Sequence, residues 1–304
     1  MLFRSTRSRV SSLLVHAPGK LNLFLEILGK RRDGFHELET LMVSLDLYDS
    51  LEFTADESGR ICLQSFPAGD RRSRSAVHSV PDDEGNLVVR AARALCEYTG
   101  HKRGVRIRLA KRIPVAAGLA GGSSDAAATL VALNRLWTLG LSLSELRHLA
   151  AQLGSDVPFF IGSHPAAICR GRGESIEPLP GPQNWHFVVV RPQSGLSTAD
   201  VFGRCRVETR PRNVARLVDC LVAGRKRAAA EQFYNALETP ARQLNSEIDS
   251  LRLAFSNQPF LGHMMTGSGS AYFGLCASRR QARHTARRLR ARRVGQVYVT
   301  CSRT

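Results

Sequence analysis

The sequence predicts an α+β fold in two domains. Apolar runs of strand length, one alternating strictly at period two, share the chain with helical stretches bounded by capping residues. A length of 304 residues is enough for two packed layers and two domains. Pro and Gly cluster over residues 178–182, which sets the expected boundary: one domain over 1–180 and a second over 181–304.

The elements follow in order. Residues 12–28 alternate loosely and read as an entry strand, and 41–53 carry a β-like run ending in Ser50-Leu51-Glu52-Phe53. Residues 66–85 are rich in Arg, Ser, Asp, Gly and Pro, the composition of a mobile loop. Asn86 opens a helix that runs through Tyr98 and is closed by Gly100. Residues 105–109 alternate as a half-buried strand, and the helix after the next glycines runs to about Trp137. A capping box, Ser142 with Glu145, starts another helix that Gly154 ends. The second half is expected to hold a buried strand over 186–191 and helices over 214–221 and 228–237. A strand over 271–276, an Arg-rich helix over 279–293 and a last strand over 297–301 follow. No internal repeat is visible.

Composition excludes several classes. No window approaches the roughly 18 consecutive apolar residues of a membrane helix. The start is Arg- and Ser-rich, and reads as a frayed extension rather than a signal peptide or a cleavable leader. Seven dispersed cysteines without a Cys-x-x-Cys pair fit reduced thiols in the cytoplasm, and no zinc-ligand spacing appears. The net charge is +17, and only five of the 43 basic residues are Lys. Along 279–293, Ala282, Ala286, Leu289 and Arg293 form one stripe and the arginines cover the rest. That face is a solvated helix surface or a nucleic-acid contact. The absence of interleaved aromatics favours the first.

The most informative stretch reads Pro114-Val115-Ala116-Ala117-Gly118-Leu119-Ala120-Gly121-Gly122-Ser123-Ser124-Asp125, followed by an Ala-rich helix. Glycines let the backbone close around an anion without Cβ clashes, and a helix start offers unpaired N–H groups and a positive dipole end. Ser123 and Ser124 are expected at the junction, capping the helix. The spacing is neither a Walker A loop nor Gly-x-Gly-x-x-Gly. It closely resembles the phosphate loop of the GHMP small-molecule kinases. Three more segments extend the resemblance in the family's order: Ala17-Pro18-Gly19-Lys20-Leu21-Asn22 with Gly34-Phe35-His36-Glu37, then Gly154-Ser155-Asp156-Val157-Pro158, and Met265-Thr266-Gly267-Ser268-Gly269-Ser270. Gly34-Phe35-His36 points to the branch of the family that acts on a cytidine-bearing alcohol.

The resemblance implies a ribosomal-S5-domain-2-like N-terminal domain, a ferredoxin-like C-terminal domain, and transfer of a phosphoryl group from ATP with Mg²⁺ to a small-molecule alcohol. Residues 114–124, from Pro114 to Ser124, would hold the phosphates, and Ser124 would meet the metal. Asp125 either joins Ser124 there or stabilises its helix dipole. Asp156 would take the proton of the acceptor hydroxyl. Lys20 lies among Leu, Asn and Phe in a strand. A partner there would offset the cost of burying its ammonium, and Asp156 is the expected one. Asn22, Phe35, His36, Thr266, Gly267 and Ser268 would serve the alcohol substrate. Relatives often carry an aromatic residue in the segment that here reads Pro192-Gln193-Ser194-Gly195-Leu196-Ser197-Thr198-Ala199. Without a substitute ring, lost stacking on the base would cost about 1–3 kcal/mol. The resemblance implies a cytoplasmic monomer or weak homodimer, with no membrane and no nucleic-acid partner. A sibling kinase of the same family, or an S5-like nucleic-acid-binding protein, are the alternatives.

Overall fold

The structure, a computed structural model, describes residues 12–68 and 85–303. The expected frayed start and most of the expected mobile loop lie outside the described residues. The chain forms two compact units, neither continuous in sequence. Among the described residues the first takes 12–19, 47–68, 85–113 and 120–163, and the second takes 20–46, 114–119 and 164–303. Two long strands, β1 (Ser12–Lys30) and β2 (His36–Asp56), contribute residues to both.

In the first unit β3 (Ile61–Pro67) pairs in parallel with β4 (Gly104–Lys111), which runs antiparallel to β2. Period-two alternation explains β4. Val105, Ile107 and Leu109 are buried, while Arg106 and Arg108 face outward. Four helices pack together here: α1 (Leu87–Thr99), α2 (Gly121–Leu136), α3 (Leu143–Leu153) and α4 (Val157–Ile161). The Asn86 side chain caps α1 and Gly100 closes it in the left-handed conformation. The Ser142–Glu145 capping box is formed in both directions. Ala126, Ala127, Ala128, Leu130, Ala132 and Leu133 are all buried, so α2 is enclosed on most sides.

In the second unit β5 (Ala166–Gly171) pairs antiparallel with β2, and β6 (Ser175–Leu179) with β5. The strand β7 (His186–Arg191) is followed by α5 (Thr198–Gly203), α6 (Ala215–Val222) and α7 (Lys226–Ala230). The expected helix over 228–237 stops there. Tyr234–Asn235 instead forms a short strand, β8, parallel to Phe24 and Leu25 of β1. Asn235 donates to Met265 O and Gly267 O, both 2.9 Å, and these tertiary bonds override the helical bias of the Ala-rich run. Then come α8 (Glu238–Leu244), α9 (Ser246–Ser256), β9 (Gly262–Met265), β10 (Tyr272–Cys276), α10 (Arg279–Ala291) and β11 (Gln296–Cys301).

The strand order β11-β7-β10-β9 is antiparallel throughout and follows the 4-1-3-2 arrangement of a ferredoxin-like sheet. Val188, Val190, Phe255, Tyr272 and Leu289 share its core. Ala282, Ala286 and Leu289 turn the apolar stripe of α10 into that core, and its arginines stay out. Among the described residues no helix is long and apolar enough to cross a membrane.

Candidate active site

The glycine-rich loop joins β4 to α2. In the second unit, Val115 O accepts from Arg191 Nε (3.2 Å), Ala117 O from the Ala271 amide (3.2 Å) and Leu119 O from the Lys20 amide (3.1 Å). Each of these bonds is accepted by a loop carbonyl. Docking therefore does not consume loop N–H groups, the donors an anion needs. Gly118 has φ +73°, and a Cβ on it would stand 2.3 Å from Thr266 O. The loop and the Thr266-Gly267-Ser268 motif approach closely only because residue 118 lacks a side chain.

In the first unit, α2 begins three residues earlier than a Ser123 cap would place it, and four earlier than a Ser124 cap. Ala120 occupies the N-cap position in the left-handed conformation, φ 54° and ψ 33°, with no side-chain cap. Ser123 and Ser124 therefore lie inside the first turn of the helix rather than capping it. Left-handed Ala120 turns the chain before Gly121, which makes the earlier start possible. Ser124 is buried and its Oγ has no hydrogen-bond partner, and the same holds for Oδ1 of buried Asp125. The other oxygen, Asp125 Oδ2, accepts from Lys111 Nζ at 2.7 Å. Burial raises the Asp125 carboxyl above its usual value, against the pull of the Lys111 ammonium. Burial also works against the Lys111 charge, but Asp125 and Asp49 outweigh it and raise its pKa above the usual value.

Lys20 lies on β1 with 3% of its surface exposed. Its strand has β2 on one side and, at Phe24 and Leu25, β8 on the other. Nζ donates to Asn22 Oδ1 at 2.5 Å. The Asn22 amide group donates to Thr40 Oγ1 (2.8 Å), and its backbone N–H donates to Thr266 Oγ1 (3.0 Å). The first and third sequence motifs thus meet through hydrogen bonds within the second unit. Asn235, which carried no sequence signal as an isolated polar residue, holds the Gly267 carbonyl from the other side. Ser268 Oγ pairs with Thr198 Oγ1 at 2.9 Å.

Asp156 stands at the N-cap position of five-residue α4 rather than on an open loop, with Pro158 in the first turn and Val157, Phe159 and Phe160 buried behind it. The expected Asp156 is thereby set on a short, rigid element.

Gly34, at φ +85°, makes the turn that presents Phe35 and His36. The Phe35 ring is half-exposed, with the Arg172 guanidinium 4.6 Å from its centre. The His36 ring lies 5.3 Å from that of Phe202, and burial lowers its pKa. Ser194 itself is tied down by Asn245 (2.8 Å) and by Glu247. Phe202 on α5 is thus the ring that stands beside His36, a few residues beyond the segment where the sequence shows only Ser194. Its signal was a lone Phe after the Ser197 N-cap, indistinguishable from core packing.

Residues 86–164 match the N-terminal domain model of the GHMP kinases, and residues 213–294 match the C-terminal one. The chain belongs to the GHMP kinases. Over 265 residues it is 42% identical to a 4-diphosphocytidyl-2-C-methyl-D-erythritol kinase of Bacillus cereus, covering 86% of this chain and 88% of that protein. A crystal structure of 4-(cytidine 5'-diphospho)-2C-methyl-D-erythritol kinase superposes with a TM-score of 0.78 at 36% identity, over 96% of this chain and 100% of that one. A homoserine kinase from Cytophaga hutchinsonii (TM-score 0.73, 20% identity, 98% and 97% covered) shares the fold.

Proposed function

We propose that this chain transfers the γ-phosphoryl group of ATP to the 2-hydroxyl of 4-diphosphocytidyl-2-C-methyl-D-erythritol, a step toward isoprenoid precursors. The geometric support is the loop of residues 114–119, held by its carbonyls with its N–H groups unspent by that docking. The choice of alcohol is supported by the activity for which the 42% identical relative is named, and by the rings of Phe35, His36 and Phe202. We place the domain of the glycine-rich loop, Lys20 and Asp156 over 1–180 and the second over 181–304, a division by sequence span that the compact units cross, since Lys20 and 114–119 belong to the unit that holds 164–303. The two family-model matches fall on either side of that boundary.

Asp156 takes the proton from the acceptor hydroxyl, and Lys20, oriented by Asn22, acts with it on the same oxygen. His36 offers a hydrogen-bonding edge to the base, with Phe35 and Phe202 as its flat partners. Thr266, Gly267 and Ser268 border the acceptor. The buried, unpartnered oxygens of Ser124 and Asp125 fit a hard cation on the nucleotide phosphates. Mg²⁺ bound there would offset charge on the transferring oxygens. The enzyme works in the cytoplasm on small molecules, as a monomer or weak homodimer, without membrane or nucleic-acid partners.

Asp156→Asn is expected to retain ATP binding, measured by calorimetry with a non-hydrolysable analogue, while turnover falls about 10²- to 10⁴-fold. Near-full turnover in that variant would end the base assignment. An acceptor panel of several alcohols with ATP tests the substrate. Saturation at low concentration by a cytidine-free alcohol would favour a sibling kinase.

A further inference from the structure

Lys111 belongs to no motif, yet it is the centre of a buried ion triad. Its Nζ donates to Asp49 Oδ2 at 2.5 Å and to Asp125 Oδ2 at 2.7 Å, and the Asp49 side chain is fully buried. Asp49 Oδ1 also accepts from the backbone N–H groups of Arg112 (2.5 Å) and Ile113 (2.8 Å). Residues 111–113 are the entrance of the phosphate loop, and Asp125 is in the helix at its exit. Gly121, the first residue of α2, is pressed against the same entrance. A Cβ there would stand 3.0 Å from Ile113 Cγ2 and 3.3 Å from Lys111 Nζ.

We infer that Lys111, tied to Asp49 and Asp125, is a positioning residue that cinches the two ends of the phosphate loop and thereby sets its affinity for the nucleotide. A buried ion triad adds little net stability over apolar packing of the same volume, because desolvation offsets the attraction. It does add direction. Three short bonds converge on Asp49 from consecutive residues, and the fourth reaches across to α2, so the separation of the loop ends is held within hydrogen-bond tolerance. Preorganised donors bind an anion more tightly than donors that must first be gathered.

This inference rests on the kinase reading, and the experiment separates the two. Wild type, Lys111→Met, Lys111→Arg and Asp49→Asn are assayed at saturating Mg²⁺, with a non-hydrolysable ATP analogue for binding and steady-state kinetics for KM and kcat. Lys111→Met is expected to weaken nucleotide binding and raise the KM for ATP at least tenfold, leaving the KM for the alcohol within twofold. Lys111→Arg should recover most of that loss. Asp49→Asn keeps an acceptor but no ion pair and leaves the oxygens assigned to the cation untouched, and its KM for ATP should rise about threefold. It supplies the test if Lys111→Met does not fold. Arg108→Met removes an exposed pair with Glu52 on the same two strands and should change none of these quantities. Nucleotide affinity unchanged in the folded triad variants, or a KM rise shared equally by both substrates, would overturn the positioning role. A wild type that binds no ATP analogue would instead overturn the kinase reading itself.

Discussion

Thr40 decides which way the Asn22 amide points. Its hydroxyl donates to Phe24 O at 2.6 Å, so it faces Asn22 as an acceptor and must receive the NH₂ group. The Asn22 oxygen is then turned toward Lys20 Nζ, which cannot accept a hydrogen bond. One hydroxyl two residues removed from the ammonium in the network thus fixes the orientation of its acceptor. Thr40→Val keeps the shape but leaves a buried NH₂ donor unpaired. A loss of about 1–3 kcal/mol in urea unfolding is expected, together with reduced turnover. Wild-type stability in that variant would show that Asn22 finds another acceptor. The sequence marked Lys20 and Asn22 through their motif, but nothing local set Thr40 apart from Thr54 on the same strand. Its role depends on β1 and β2 being neighbours.

At the scale of the element, the glycine-rich loop carries alanine where glycine would be less strained. Ala116 (φ 53°) and Ala120 (φ 54°) both adopt the left-handed conformation, as does Gly118 (φ 73°). Conformation alone makes Ala120→Gly a mild change. Relief of left-handed strain and the entropy glycine gains on unfolding nearly cancel, leaving stability within about 1 kcal/mol of wild type. Gly118→Ala is different in kind, because its Cβ would collide with backbone at Thr266. Thermal denaturation should show a loss of about 1–3 kcal/mol for Gly118→Ala. Nucleotide binding should fall with it. Equal melting temperatures for the two variants would contradict the close approach of loop and third motif. Pattern alone located this loop, and also the capped helices α1 and α3, because cap and period are local properties. The helices α4, α5 and α7 are too short to display a period, and β8 exists only because β1 lies beside it.

For the molecule as a whole, pH acts through two opposing sets of partly or wholly desolvated groups. Burial lowers the pKa of His36, His101, His186 and His263. Each such histidine contributes stability that is complete above its unfolded value of about 6.5 and is lost as pH falls through the lower folded value. Asp125 and Glu238 are raised by burial and act in the opposite sense. Between the unfolded and folded values the native carboxyl binds more protons, so stability grows as pH falls. The histidine term is therefore read as a difference between variants. His263 is packed by Phe255 and Phe260, meets the Tyr272 hydroxyl at 3.2 Å and feels the charge of Arg252. The melting temperature of wild type is expected to fall more than that of His263→Gln between pH 7.5 and 5.5. An equal fall in both would show that His263 is not held neutral.

Sequence alone determined the two-domain α+β class, the glycine-rich loop, the segments that carry Lys20 and Asp156, and the extents of α1, α3, α6 and α10. Those features are written in neighbouring residues: a glycine run, a cap, a period. Tertiary structure decided that Lys111 reaches both Asp49 and Asp125, that Phe202 stands beside His36, and that Asn235 leaves a helical run to hold the Gly267 carbonyl. Each of these is a meeting of groups that are separated along the chain. No local propensity encodes such a meeting; it arises when strands take their register and the core closes around the polar groups that must find partners.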